Sequence, residues 1–429
     1  MIQYRNGLLK IKNKESPLDV LWDIGLFLFM LSAICYGKSD ETNNFFYYFV
    51  FFFFLGISAF YMIFRGRPLN IFIPLHTLWY GLFLLLCLVS SIWAVSFPVA
   101  FTPISRMIQI LAITMCLLIY IDNEEKIERY LDIVVAASVY TMIYIYVMTP
   151  PSQWFDGFLG SVTGYNTNDI GCAFTICVLI TFYKGFIRQR RIAYIICILS
   201  FLTVILTSSR KSLFMCVAGI VLIVIFNYRK KNYILYVLST IGLMALLLVL
   251  IYQIPSLYRT VGVRIDSMID YFLFDKSADS SIAIREFYIN TAKSMFFEKP
   301  LLGYGINNFV YVSGRIGHIS TYAHNNYWEI AADLGIVGLI TYYWFYVFLF
   351  IKLFKQVIDG HKQSLLFFSI IVLLLIFEYS MINYYKFQIH ILIAAVYMAA
   401  VVNDAPPSPA LKKSGRLAST ERRDNDETA

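Results

Sequence analysis

The sequence predicts an all-α integral membrane protein, and three observations support that fold class. Hydrophobic residues make up 59% of the 429 residues and charged residues only 14%, whereas soluble domains average about 45–50% and about 25%. The mean hydropathy is +0.67, and Phe and Tyr occur 37 and 32 times, as expected where rings meet lipid. The apolar residues also fall in long runs. This composition excludes a soluble enzyme, a disordered regulator and a collagen-like fibre.

Twelve apolar runs are predicted to be transmembrane helices, since about 20 mostly apolar residues cross a bilayer as a helix. They are too long and continuous for the strands of a closed barrel. The runs are 18–36, 45–64, 73–95, 104–121, 130–148, 168–183, 192–208, 212–227, 233–253, 330–351, 364–380 and 388–402. The short run 168–183 and the run 330–351, which has acidic residues at its start, are the weakest candidates.

The Lys and Arg residues of the short loops fall mostly on one side of the predicted membrane. Cytoplasmic loops carry such an excess, so both termini are expected in the cytoplasm and the long loop outside. The same excess accounts for the net charge of +8, which removes the reason to expect nucleic-acid binding. The predicted organisation is a cytoplasmic N-terminus (1–17), transmembrane helices 1–9 (18–253), a large extracytoplasmic loop (254–329), transmembrane helices 10–12 (330–402) and a disordered cytoplasmic tail (403–429).

The seven cysteines all lie in apolar runs and show no metal-ligand spacing. They are therefore expected to be small buried hydrophobic residues, and neither a disulfide framework nor a zinc site is expected. The polar N-terminus lacks a small-residue cleavage site, so the first span is expected to be retained.

Unusual polar residues concentrate on the side predicted to lie outside. In SVTGYNTNDIG (161–171), Asn168 and Asp169 lead into a span. Asn and Asp also favour turns and helix caps, so a purely structural role is an equal alternative.

A second group is LTSSRKS (206–212), a turn so short that Arg210 and Lys211 must lie at the outer membrane face. Ionisable groups at membrane depth are candidates for function, and snorkelling from a helix end is the alternative. Arg210 is the better anion ligand, because the planar guanidinium can bind a phosphate through two contacts.

The long loop 254–325 holds a third group. The spacing of its apolar residues predicts a helix that carries Arg285, followed by a turn from Pro300 to Gly305. GYG at 303–305 is a weak signal for a phosphate-binding loop, and since no P-loop lysine follows, no nucleotide site is expected. Arg285 is a functional candidate, with a solvated helix face as the alternative.

The fourth group lies in TYAHNNYWEIAADLGIVGLITYY (321–343), just before the tenth predicted span. Of the five histidines, only His318 and His324 are placed outside among polar residues. An imidazole is well suited to proton transfer near neutral pH, so His324 is a candidate for that role. A structural histidine is the alternative.

Two acidic residues follow at a spacing that places them on one helix face. Glu329 and Asp333 are expected to pair with Arg285 or Lys293, and a cation site is the less favoured alternative.

In this order, the motifs resemble the O-antigen ligase and polymerase superfamily, the integral-membrane enzymes of bacterial surface-polysaccharide assembly. The most specific motif is HNxYxExxxxxGxxG, matched by His324, Asn325, Tyr327, Glu329, Gly335 and Gly338. Earlier motifs are matched by Ser209, Arg210, Arg285, Gly303, Gly305 and Phe309. Lys211 and Gly171 stand where the family often has Gly and Ala.

The resemblance implies a GT-C-like membrane glycosyltransferase at the outer face of the bacterial cytoplasmic membrane. Its donor would be a glycan on undecaprenyl diphosphate, transferred with inversion and without a cofactor or metal. Arg210 and Arg285 would stabilise the departing diphosphate, and His324 would orient or deprotonate the acceptor hydroxyl. The substrate-binding residues implied are Lys211, Asn168, Asn325, Glu329, Gly303 and Gly305.

Three activities stay open at this point. A polymerase joining repeat units is preferred, because the short motif helix and the Tyr- and Phe-rich spans look like those of capsular and O-antigen polymerases. The alternative within the superfamily is a ligase that moves the finished glycan to lipid A core. A polysaccharide flippase is the alternative of another class, although paired broken helices are not evident. Expected partners are the lipid-linked oligosaccharide, membrane lipids, a chain-length regulator and a flippase.

Overall fold

The computed structural model is almost entirely helical. It describes residues 4–5, 8–9, 16–35, 45–64, 74–155, 159–164, 166–227, 233–274, 280–317 and 320–403. His318, most of the predicted cytoplasmic N-terminus and the predicted tail beyond residue 403 lie outside the described residues.

The described residues form α-helices that follow one another through the chain. They are α1 (Pro17–Cys35), α2 (Phe45–Phe64), α3 (Leu75–Ser90), α4 (Phe97–Tyr120), α5 (Glu124–Met148), α6 (Thr167–Phe186), α7 (Ile192–Leu206), α8 (Arg210–Asn227), α9 (Tyr233–Gln253), α10 (Pro255–Leu257), α11 (Val263–Phe274), α12 (Ser280–Glu298), α13 (Asn308–Gly317), α14 (Asn326–Ile358), α15 (Lys362–Phe377) and α16 (Phe387–Val402). A π-helical turn, Tyr258–Gly262, joins α10 to α11. Two short strands, β1 (Tyr4–Arg5) and β2 (Leu8–Leu9), pair antiparallel.

Each of the twelve predicted spans coincides with a helix, which confirms the helical class. Among the described residues, six helices are long and apolar enough to cross a membrane: α2, α4, α5, α6, α8 and α14. Four shorter apolar helices accompany them: α3, α7, α15 and α16. Twelve crossings and a GT-C-like arrangement stay predictions.

Helix α6 lies at the centre of the bundle. In its most apolar stretch 78% of the residues are buried, and it packs against α5, α7, α8 and α15. The short run 168–183 is therefore part of a well-packed helix of 20 residues, which begins one residue earlier and ends three residues later. Helix α2 is the opposite case, because Phe45, Phe49 and Phe52 stay exposed on one of its faces.

Asn side chains define where three helices begin. The side-chain oxygens of Asn123, Asn166 and Asn325 accept backbone N–H groups in the first turns of α5, α6 and α14, at 3.0, 2.9 and 3.1 Å. Such caps satisfy amides that have no partner within the helix. The cap at Asn325 starts α14 four residues before the predicted span, and the cap interpretation of residues 161–171 is confirmed at Asn166.

Helix α14 is interrupted at Gly335, whose φ of 64° and ψ of −160° are not helical. The loop after α12 provides partners for the freed backbone groups. The Ile336 amide donates to the Pro300 carbonyl at 2.8 Å, and the Gly305 amide donates to the Asp333 carbonyl at 2.8 Å. Because an unpaired backbone group is costly in an apolar environment, these bonds make the break tolerable.

The same loop is fixed to the turn between α3 and α4. The Asn308 side chain accepts the Ser96 amide at 2.7 Å, and the Ile306 amide donates to Ser90 Oγ at 3.1 Å. The loop is thus held between α14 and the α3–α4 turn.

Helices α12, α13 and α14 enclose a small apolar core outside the main bundle. Its members are Tyr288, Ala292, Met295, Phe309, Ala323 and Ala332. The predicted helix that carries Arg285 is confirmed as α12, and the predicted turn from Pro300 to Gly305 follows it.

Candidate functional site

The first turns of α6 and α8 and the loop between α15 and α16 meet at one end of the bundle. Ser209 Oγ donates to Asn168 Oδ1 at 2.9 Å, and Lys211 Nζ donates to the Ser380 carbonyl at 2.9 Å. Helix α14 also begins here. We call this end the site end.

Lys211, Arg285 and His324 come together at the site end, and we call them the Lys–Arg–His cluster. All three side chains are half-buried. The positive charges of Lys211 and Arg285 both act on His324. Lys211 and His324 are 113 positions apart in the chain. The fold therefore makes neighbours of three residues that are distant in sequence.

The two cations of this cluster have no carboxylate bound to them. Among the described residues, Arg285 makes no hydrogen bond or ion pair, and the hydrogen-bond partner of Lys211 is a backbone carbonyl. At the other end of the bundle several cations are paired with carboxylates, for example Lys126 with Asp122 at 3.1 Å. The site end therefore holds positive charge that an anionic ligand can neutralise.

His324 is placed with a left-handed backbone, φ 56°, and its ring packs against Tyr322 with 4.2 Å between ring centroids. Burial and the nearby charges of Arg285 and Lys211 lower the pKa of His324 to about 4. The imidazole is therefore neutral at pH 7, which is the form that can accept a proton.

Tyr322 is a member of the site that the sequence did not indicate. Burial and the neighbouring Asp169 carboxylate raise the pKa of Tyr322 to about 12. Its hydroxyl stays protonated at neutral pH and can donate a hydrogen bond to a ligand beside His324.

Arg210 begins α8 beside Lys211. Arg210 Nη1 donates to Ser267 Oγ of α11 at 3.0 Å, so the guanidinium ties the start of α8 to α11. A direct contact of Arg210 with substrate stays a prediction.

Asn325 and Glu329 hold the backbone on either side of His324. Asn325 caps α14, and Glu329 Oε2 accepts the Ala323 amide at 2.5 Å. Both residues are fully buried, and these contacts position the histidine. Substrate binding by Asn325 and Glu329 stays a prediction.

The predicted pairing of the acidic residues with Arg285 or Lys293 is wrong. Glu329 binds a backbone amide instead, and the two oxygens of Asp333 accept the Asn307 and Phe309 amides at 2.6 and 2.7 Å. Both amides lie at the start of α13, where N–H groups need acceptors. Lys293 lies over the Trp328 ring, 5.6 Å from its centroid.

Gly303 and Gly305 contact protein backbone closely. Both have positive φ, 64° and 93°. A Cβ on Gly303 would lie 2.3 Å from the carbonyl carbon of Asp333, and one on Gly305 would lie 2.6 Å from Ala94 Cα. These glycines allow the loop to reach the break in α14, and their predicted contact with substrate stays a prediction.

The loop between α15 and α16 is a second part of the site that the sequence did not indicate. Asn326 Nδ2 donates to Glu378 Oε2 at 3.1 Å, and the Asn326 amide donates to the Glu378 carbonyl at 2.7 Å. Further along, Lys386 pairs with Asp169 at 2.6 Å. One signal was available, since Lys386 is a basic residue on the side predicted to lie outside.

Two further predictions concern metal ligands and cysteines. Among the residues that the structure describes, no group of three or more His, Cys, Asp or Glu side chains could hold a metal ion. Six of the seven cysteines are free and buried, as expected of small hydrophobic residues: Cys87, Cys116, Cys172, Cys177, Cys197 and Cys216.

A comparison with protein families identifies the segment that contains the Lys–Arg–His cluster. Residues 195–343 match the family described as O-antigen ligase. This match supports the O-antigen ligase and polymerase superfamily. The match confirms the family that the sequence motifs predicted. No curated protein matches the chain.

The O-antigen ligase segment begins in α7 and ends within α14, and it includes all three members of the cluster. Asn168, Asp169 and Lys386 lie outside it. The superfamily match supports an enzyme of polysaccharide biosynthesis that acts on a lipid-linked glycan. With several apolar helices, it also supports an integral membrane protein.

Proposed function

We propose that the protein is a polymerase of surface polysaccharide. It joins undecaprenyl-diphosphate-linked oligosaccharide repeat units into O-antigen, capsular or exopolysaccharide at the outer face of the cytoplasmic membrane. One observation carries this proposal: the charges of Lys211 and Arg285, which have no carboxylate bound to them among the described residues, surround neutral His324.

The reaction needs the three members of the Lys–Arg–His cluster in separate roles. A hydroxyl of the acceptor unit attacks the anomeric carbon of the donor, and the bond from that carbon to the diphosphate oxygen breaks. The bonding electron pair leaves with the diphosphate, and the hydroxyl proton passes to His324. Attack opposite the leaving group inverts the anomeric centre.

Lys211 and Arg285 stabilise the negative charge that grows on the diphosphate as it leaves. Such fixed charges act strongly in a half-buried site, because they need no reorganisation during the reaction. Arg210 extends the cationic surface at the start of α8. The donor is already activated, so this reaction requires neither a nucleotide nor another cofactor.

A ligase is the second candidate, because the matched family is described as O-antigen ligase. A ligase breaks the same sugar–diphosphate bond and differs in its acceptor. The superfamily match also favours an enzyme over the flippase considered from the span count.

The test uses the full chain, purified in detergent, with a lipid-diphosphate oligosaccharide as donor. A ladder of lipid-linked products with increasing numbers of repeat units supports the polymerase, and transfer only to added lipid A core supports the ligase. Arg285→Gln is expected to slow turnover strongly, whereas His361→Ala, exposed at the other end of the bundle, serves as control. Absence of both products from the wild-type protein contradicts glycosyl transfer.

A further inference from the structure

The Lys–Arg–His cluster has a neighbour outside the matched segment, at the end of the loop between α15 and α16. We propose that Lys386, which pairs with Asp169, is a further binding residue for the donor's diphosphate. This inference rests on the proposed function and extends the donor site to residues that neither the motifs nor the family match includes.

The geometry of the Asp169–Lys386 pair leaves Lys386 able to bind a second anion. Lys386 Nζ lies 2.6 Å from Asp169 Oδ1, and 25% of the lysine side chain is exposed. An ammonium group has more donors than one carboxylate oxygen engages. The remaining N–H groups of Lys386 are available to a ligand at the site end.

The charges of Lys386 and Arg285 both act on Lys211. Three basic side chains therefore share this half-buried region, and the Asp169 carboxylate offsets their charge. Holding like charges together in a partly desolvated place is unfavourable unless an anion joins them. A diphosphate diester carries a negative charge on each phosphate, which balances the excess.

Ion pairs at the other end of the bundle differ in composition. Arg188 lies 2.7 and 2.8 Å from carboxylate oxygens of Glu124 and Glu128, and Lys184 contacts both Glu128 and Asp132. Arg188 and Lys184 each meet two carboxylates, as in a structural network. Around Lys386 the basic side chains outnumber the carboxylates, which indicates a site that binds an additional anion.

The loop before α16 also fixes the position of Lys386 relative to the cluster. The Lys386 amide donates to the Asn383 carbonyl at 3.0 Å, and the Asn383 amide donates to Asn326 Oδ1 at 2.9 Å. The same loop receives Lys211 Nζ at the Ser380 carbonyl. Lys211, Lys386 and the start of α14 are therefore held by one short segment, so a shared ligand meets a preorganised set of donors.

Equilibrium binding of an undecaprenyl-diphosphate-linked oligosaccharide to the purified full chain tests the proposal. Lys386→Gln is expected to weaken donor binding by about tenfold or more, since a charge-assisted contact is lost. Lys386→Arg should retain most of the affinity. Lys299→Gln is the matched control, because Lys299 is an exposed lysine near the same end and should bind donor like the wild type.

Asp169→Asn separates a ligand contact from a structural ion pair. If Lys386 binds the diphosphate, removing the Asp169 charge leaves the site more positive, and donor affinity should stay equal or rise while Lys386→Gln lowers it. If the pair only joins α6 to the loop, both variants should lower thermal stability alike and change donor affinity alike. That parallel result overturns the proposal.

Arg285→Gln distinguishes failure of this inference from failure of the proposed function. Weak donor binding by Arg285→Gln with wild-type binding by Lys386→Gln overturns the role of Lys386 alone. If the wild-type protein itself does not bind the lipid-linked donor, both the inference and the proposed function are overturned.

Discussion

His324 lies beside the two cations that we propose bind the donor, and its acid–base behaviour should therefore depend on whether donor is bound. In the free protein, burial and the charges of Arg285 and Lys211 lower the pKa of His324 to about 4. A bound diphosphate would offset those charges and raise the histidine pKa. The base would gain proton affinity only when the donor is in place.

This dependence predicts two different pH profiles. A lowered pKa keeps His324 neutral above about pH 4, so His324 should give kcat/KM, which reports the free enzyme, no acid limb above about pH 5. The acid limb of kcat, which reports the complex, should lie at higher pH. Coincident acid limbs for both parameters, close to the ordinary histidine value, would contradict the coupling.

Loss of the imidazole should affect the chemical step alone. For His324→Ala we expect kcat to fall by about 10²–10⁴-fold, the usual contribution of a general base, with donor affinity unchanged because Lys211 and Arg285 remain. Turnover and donor binding are measured on the same purified sample. His361→Ala is the control, and wild-type turnover by His324→Ala would assign the proton transfer to another group.

At the scale of single elements, the helices were largely predictable and their irregularities were not. Long apolar runs identify helices directly, because the bilayer sets the length. The break in α14 has no such signal, since its apolar pattern continues past Gly335 and its partners lie in the loop near Pro300. Glu329 and Asp333 were expected to pair with cations, but both bind backbone amides, a partner that almost every residue offers.

The break in α14 should tolerate no side chain. In Gly335→Ala the new Cβ would lie 2.3 Å from the carbonyl carbon of Leu301, at a φ of 64°. Strain at such a position costs on the order of 1–3 kcal/mol, and the clash adds to it. We expect a clearly lower Tm in detergent. Gly81→Ala is the comparison, because a Cβ there meets no heavy atom within 4 Å, and equal Tm values would contradict the packing.

The Asp333 carboxylate should contribute to stability through the two amides that it accepts. Asp333→Ala leaves the Asn307 and Phe309 amides without this acceptor, at a cost of roughly 1–3 kcal/mol for each buried group. Thermal unfolding should show a larger decrease in Tm for Asp333→Ala than for Asp333→Asn, which keeps one acceptor oxygen. The reverse order would indicate that charge, and not hydrogen bonding, matters at this position.

At the scale of the whole molecule, the helices carry two ends of different character. Carboxylates accompany the basic residues at one end, and the site end carries excess positive charge. The basic loops predict that the first end faces the cytoplasm.

Cysteine labelling tests this orientation. Lys299→Cys at the site end should react with an impermeant thiol reagent in spheroplasts, and His361→Cys should react only after the membrane is opened. Both positions are exposed, and six of the seven native cysteines are buried. The seventh, Cys35, is replaced by serine in the background protein. Labelling of residue 361 alone in sealed spheroplasts would reverse the orientation and remove the outer-face reaction.

Site residues that break an expected sequence pattern were predictable. Site residues that only folding brings next to the cluster were not. Lys211 and Arg285 were indicated by charge on the outer side and His324 by its motif, and the structure brings all three together. Tyr322 and Glu378 carry no comparable signal. Tyr322 is one of 32 tyrosines, and Glu378 follows an apolar helix without a motif around it.

The attachment of the loop after α12 to the break in α14 constrains how chimeric enzymes can be built. Exchanging the extramembrane region between related proteins, for instance to alter glycan specificity, would join a foreign loop to a native helix at the Pro300–Ile336 and Gly305–Asp333 bonds. A loop taken from a protein that lacks either the loop glycines or the helix break would not fit the native α14. The exchangeable module therefore runs from α12 through Gly335, with its recombination boundary inside α14 and not at the loop's end.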